Sequence, residues 1–112
     1  MSNILNSIKK MLGIDLSYTA FDNDIIFHIN TVIFTLWQLG IGSELISIDV
    51  DTEWSDYLGD TNNFEAVKSL VYLKVRMLFD PPSSSIVNDA ANRMISEIES
   101  RLLYEYGVKE NE

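Results

Sequence analysis

No cysteine occurs among the 112 residues, which excludes a disulfide framework and any thiolate metal site. The only two prolines are adjacent, Pro81 and Pro82, so the chain carries one strong helix-breaking signal. There is one histidine, His28, and no P-loop, GxGxxG, HExxH or GxSxG pattern, which removes the commonest nucleotide, zinc and nucleophile signatures. No apolar run reaches the ~20 residues that a bilayer-spanning helix needs. The most apolar stretch, Ile25 to Leu39, is interrupted by His28, Asn30, Thr31, Thr35 and Gln38. The first residues lack the basic region and long apolar core of a secretory signal. The expectation is a soluble protein made inside the cell, with no membrane partner. Basic charge is also missing over a long interval, since no lysine or arginine lies between Lys10 and Lys68.

What is present suits a folded chain. With 46% hydrophobic and 22% charged residues the composition is that of an ordinary globular protein, and the length allows one domain, 1–112, with one core. Eight basic residues stand against 17 acidic ones, a net charge of −9, which argues against binding a nucleic-acid backbone. The interval without cations carries Asp15, Asp22, Asp24, Glu44, Asp49, Asp51, Glu53, Asp56, Asp60 and Glu65. A surface built from this half has a strongly negative potential. Such a surface keeps a protein soluble, or repels DNA, or receives a basic partner.

Periodicity predicts an all-α fold: a compact bundle of three main helices with one or two short accessory ones. Residues 3–12 place Ile4, Leu5, Ile8, Met11 and Leu12 on one face, with Gly13 as a stop. Residues 1–12 are therefore a short helix on the core or an N-terminal arm. Asp22 is the expected N-cap of the central helix. Its polar stripe is Asp24, His28, Thr31, Thr35 and Gln38, and its wide apolar arc is Ile26, Ile29, Ile33, Leu36 and Trp37, broadened by Ile25, Val32 and Leu39. An arc that wide predicts contacts on more than one side. Ile46 to Asp51 alternates like a short extended segment. Thr52 then offers a cap for one helical turn that points Trp54 and Leu58 inward. A third helix, from about 63 to 79, has Val67, Leu70, Val71, Val75 and Leu78 as its core face and stops at Asp80-Pro81-Pro82. A serine from 83 to 85 caps the last helix, whose inward residues are Val87, Ala91, Met94, Ile95, Ile98 and Leu102. The pairs Asp89–Arg93 and Glu97–Arg101 lie outside, Gly107 closes the helix, and 108–112 is a flexible tail.

Candidate chemistry is sparse. His28 sits in a polar stripe without a nucleophile at local spacing, so it reads as a structural histidine. Asp49, Asp51 and Glu53 lack the ligand order and turn glycine of a calcium loop. No catalytic, cofactor or metal residue is assigned. Tyr18, Phe21, Phe27, Phe34, Trp37, Trp54, Phe64, Tyr72 and Phe79 all fit packing faces. Tyr104 and Tyr106 differ, since they follow Leu102 and Leu103 at a helix end where a bundle has run out of core. They form a contact surface or fold back under the N-terminal segment.

The run from Val67 to Ser85, with Phe79-Asp80-Pro81-Pro82 at its turn, resembles the signature of phage head–tail connector (adaptor) proteins. Its flanks extend the resemblance: Phe21 to Asn30 with Gln38 to Gly42, the tryptophan-bearing turn Glu53 to Leu58, and the ending Glu97 to Leu102. It covers about Ile4 to Leu103. Leu70 and Ser100 depart from the family's usual residues. The resemblance implies a non-enzymatic virion protein without cofactors, made in the host bacterial cytoplasm and located at the head–tail interface. It implies a ring on the portal that receives a stopper or tail-completion protein and passes DNA without sequence-specific binding. No heptad seam or large symmetric apolar face is readable, so the free protein is expected to be a monomer. From the resemblance, Leu102, Leu103, Tyr104 and Tyr106 are the expected portal-binding residues. Glu44, Asp49, Asp51, Glu53, Asp56 and Asp60 are the expected channel-facing carboxylates, repelling phosphate. The alternatives are an acidic prophage-encoded regulatory or DNA-mimic binding protein, and a metal-dependent enzyme using Asp49, Asp51 and Glu53.

Overall fold

The computed structural model describes residues 3–41, 45–59 and 64–110, the last six of them as backbone only. Five helices follow in order: α1 (Ile4–Leu12), α2 (Asp22–Gln38), α3 (Trp54–Leu58), α4 (Phe64–Phe79) and α5 (Ser85–Glu110). Among the described residues there is no strand, only an isolated antiparallel bridge between Asn3 and Glu53. The expected all-α bundle is therefore present, with α2, α4 and α5 as its main helices and α1 and α3 as accessories.

α1 forms where its stripe and its termini agree. Asn3 accepts the Asn6 N–H at 2.9 Å, and Gly13, at φ 80°, takes the left-handed conformation that closes the helix on the Lys9 and Lys10 carbonyls. Ile4, Leu5 and Ile8 are buried, so the segment is a packed helix. Its start is tied down by Ile4 N–H donating to the Thr52 carbonyl at 3.0 Å and by the Asn3 amide donating to the Val50 carbonyl at 2.6 Å.

The fully buried charge of the described chain is Lys9, 1% exposed. Its ammonium sits 2.8 Å from Asp22 Oδ1 and donates to the carbonyls of Tyr18 at 2.7 Å and Leu16 at 3.2 Å. Three donors thus meet three oxygens, which makes the burial tolerable. This pairing corrects the expected N-cap. Phe21 is the cap residue of α2, with no side-chain cap bond, because the Asp22 carboxylate is turned to Lys9.

α2 buries Ile25, Ile29, Val32, Ile33 and Leu36, a single stripe at spacings of four, three, one and three. The expected arc was wider, and the difference is physical. α4 packs against both α2 and α5, while α2 and α5 scarcely meet, so α2 has one main neighbour and not several. Trp37 and Leu39 are consequently exposed, as are Phe27 and Phe34. Beyond α2, Asn30 Oδ1 accepts the Ile48 N–H at 2.7 Å and holds the 45–50 segment, in which Ile48 is buried. Thr52 does not cap α3. Its hydroxyl accepts the Asp49 N–H at 2.9 Å, and Glu53 is the cap residue. Trp54, Tyr57 and Leu58 are buried, the first and last as expected.

α4 buries Val67, Leu70, Val71 and Val75, whereas Leu78 is 51% exposed. It ends at Phe79, immediately before Asp80-Pro81-Pro82, and the Ser84 hydroxyl accepts the Val87 N–H at 3.4 Å at the start of α5. At about 1.5 Å per residue the 26 residues of α5 reach about 39 Å against about 24 Å for the 16 of α4. Part of α5 therefore has no α4 beside it. Val87 and Met94, expected inward, are exposed, Ile95 and Ile98 are half-buried, and Leu102 is fully buried. Lys74 and Glu99 bridge α4 to α5 at 2.7 Å, and the expected Glu97–Arg101 pair is present at 2.6 Å. Asp89 and Arg93 do not pair among the described residues. α5 runs through Gly107 to Glu110, a glycine costing a helix interior only about 1 kcal/mol.

Candidate docking surfaces

The last helix divides its terminal residues by direction. Leu102 is 2% exposed and belongs to the core, while Leu103 is 38% and Tyr104 73% exposed. Successive residues on a helix are rotated by about 100°, so Leu102 points down onto the core while its neighbours point away. Of the expected portal-binding set, Leu103 and Tyr104 present themselves at the surface and Leu102 does not. The Tyr106 side chain lies outside the described residues.

The acidic segment is used partly for its own architecture. The Asp49 carboxylate accepts the Asp51 N–H at 2.8 Å and the Thr52 hydroxyl at 3.0 Å. These two bonds, the Asp51 N–H first, hold its pKa below the ordinary value of 3.8. The Asp56 carboxylate folds back to accept the Glu53 N–H at 2.9 Å, which starts α3. Asp49, Asp51 and Asp56 stay exposed and Glu53 is half-buried, so the segment presents its charge to solvent. Glu44 and Asp60 lie outside the described residues. No group of three or more histidine, aspartate or glutamate side chains among the described residues is placed to hold a metal ion. Asp49, Asp51 and Glu53 therefore do not converge on a common centre.

Two apolar surfaces have no sequence signal beyond the hydrophobic residues themselves. Because α2 and α5 flank α4 without closing on one another, an open groove of about 320 Å³ runs between them, with Met77 and Leu78 on its floor and Thr35 and Ile95 on its walls. The second surface lies where the 13–21 loop, the start of α2 and the end of α4 meet. Ring contacts run from Tyr18 to Phe21, to Phe79, to His28 and to Phe27, with centroids 5.6, 5.5, 6.3 and 5.8 Å apart, all edge-on. Such pairs stabilise one another modestly. His28 is half-buried among these rings, a structural position. Lys9 supports the same surface from below by holding the carbonyls of Leu16 and Tyr18. Sequence reasoning missed both Lys9 and Asn30. Their signal was a polar residue flanking core positions, Lys9 beside Ile8 and Asn30 beside Ile29.

No described helix is long and apolar enough to cross a membrane. Compared with known proteins, the chain matches a family model described as phage connector protein over residues 4–109. No curated protein and no solved structure matches it.

Proposed function

The chain belongs to the phage connector protein family, a family of structural virion components, and from that premise we propose that it is a ring-forming head–tail connector subunit. Copies of it dock beneath the portal, link the DNA-filled capsid to the stopper or tail-completion protein, and contribute a segment of the DNA passage. The observation that carries the docking step is the end of α5, where Leu103 and Tyr104 stand exposed directly after the last core residue, Leu102. Apolar side chains at a projecting helix end are a recurrent recognition mode. The exposed carboxylates of Asp49, Asp51 and Asp56 suit a channel wall, because like charge keeps DNA phosphates from adhering.

The test is electron microscopy of the protein mixed with purified portal. The wild-type chain adds a ring to the portal. Leu103→Ser combined with Tyr104→Ser leaves the helical circular dichroism intact and yields bare portals. Rings of normal occupancy from the doubly substituted protein would overturn the assignment. In the same rings, Asp49, Asp51 and Asp56 belong on the lumen, and their appearance on the outer wall would end the channel reading.

A further inference from the structure

The aromatic surface at the start of α2 is not used by the docking step above, and it has a distinct chemistry. Tyr18, Phe21 and Phe27 are 50%, 41% and 68% exposed, and Phe79 joins them through its contacts with Phe21 and His28. Contiguous exposed rings of this kind mark interaction sites on a folded chain. Three exposed carboxylates lie within three residues of a ring in the chain: Asp15 before Tyr18, Asp24 between Phe21 and Phe27, and Asp80 after Phe79, with Asp15 Oδ1 also accepting the Ser17 N–H and hydroxyl. Among the described residues none of the three forms an ion pair. Residues 11–67 contain no lysine or arginine, and Lys9 is buried with its donors spent on Asp22, Tyr18 and Leu16.

We propose that this surface docks an arginine-bearing basic segment of a different protein. A guanidinium group stacks its plane on aromatic faces and forks its N–H groups to carboxylates, so rings with aspartates close by in the chain satisfy both of its binding modes at once. A second copy of this chain is the poorer occupant, because most of its described cations are already engaged. Lys74 is held by Glu99 and Arg101 by Glu97, Lys68 lies over the Trp54 and Phe64 rings, and Arg76 approaches the Tyr72 hydroxyl. Among the described side chains only Lys10 and Arg93 have no partner to give up. DNA is excluded by the same carboxylates. The site stands independently of the portal-docking role of α5.

Isotope-labelled protein titrated with a synthetic peptide alternating arginine and leucine tests the proposal. The amide signals of Phe21, Phe27, His28 and Phe79 shift, and a peptide with citrulline in place of every arginine binds at least about tenfold more weakly. Phe27→Ala with Asp24→Asn lowers the affinity by at least about tenfold with the helical circular dichroism retained, since both side chains are exposed. Should that protein unfold, Asp80→Asn alone carries the test. Equal binding of the citrulline peptide would overturn the proposal, as would shifts concentrated on residues 49–56, which indicate diffuse charge attraction. Sedimentation showing that the free chain is a dimer broken by Phe27→Ala would also overturn it, by assigning the surface to a second copy.

Discussion

Replacing Lys9 with methionine preserves most of the length of the side chain and removes the one charge that the described core encloses. The ammonium is 1% exposed and has three oxygens within 3.2 Å: Asp22 Oδ1 and the carbonyls of Tyr18 and Leu16. Taking away one member of a fully buried pair costs about 3–5 kcal/mol, because the other charge is left without compensation. Here Asp22 Oδ1 is itself buried, but the rest of the Asp22 side chain retains 18% exposure and Leu16 and Tyr18 lie in an exposed loop, so the site lies near water and is only partly enclosed. The expected cost of Lys9→Met is therefore about 2–3 kcal/mol, below the buried-pair range and well above the 0–1 kcal/mol of a surface pair. Urea unfolding, with the slope unchanged and the midpoint lowered, is the direct measurement. Thermal unfolding should fall by roughly 8 °C or more for a domain of this size. Because the two groups act together, Lys9→Met with Asp22→Leu should cost less than the two single changes added. A loss below about 0.5 kcal/mol, or strict additivity in the double substitution, would refute the reasoning.

The two tryptophans should behave as different residues. Trp54 is 1% and Trp37 49% exposed, so Trp54→Ala should cost about 3–5 kcal/mol and Trp37→Ala under about 1 kcal/mol in denaturant titrations, and acrylamide should quench the fluorescence of Trp37 far more than that of Trp54. Asp49 has its folded pKa lowered from 3.8, so its contribution is present above that value and is lost as pH falls through the lower folded pKa. Asp49→Ala should thus destabilise the protein at pH 7 and converge on the wild type near pH 2 in acid-unfolding curves, and a deficit persisting at pH 2 would contradict it. Gly13→Ala, at φ 80°, should cost about 1–2 kcal/mol, and an unchanged denaturation midpoint would count against the αL stop at α1.

Much of this protein is legible locally. Gly13, the Asp80-Pro81-Pro82 stop and Ser84 act through backbone dihedrals and short-range hydrogen bonds, so the ends of α1 and α4 and the start of α5 follow from neighbours in the chain. The all-α class follows from periodicity, the acidic half from composition, and the phage connector resemblance from the order of motifs between about Ile4 and Leu103, a membership that the family match over residues 4–109 shows. The docking surfaces are only half legible. The sequence marks Leu103 and Tyr104 as apolar at a helix end, but which of Leu102, Leu103 and Tyr104 faces water depends on how α5 is rotated against the core.

Tertiary packing decided the rest. Hydrophobic burial is non-directional, so apolar character alone does not tell a ring that has a neighbour from one that lacks it. Trp54 lies in the core and Trp37 on the surface because α2 packs mainly on α4 and scarcely meets α5, which leaves its outer side open. The same spacing of helices turned Phe27, Phe34 and Leu78 outward and opened the groove above Met77. Asp22 left its expected capping role because Lys9, 13 residues earlier, arrives within 2.8 Å of it in space. An ion pair between residues on two different helices has no local signature, and only the folded chain brings its members together.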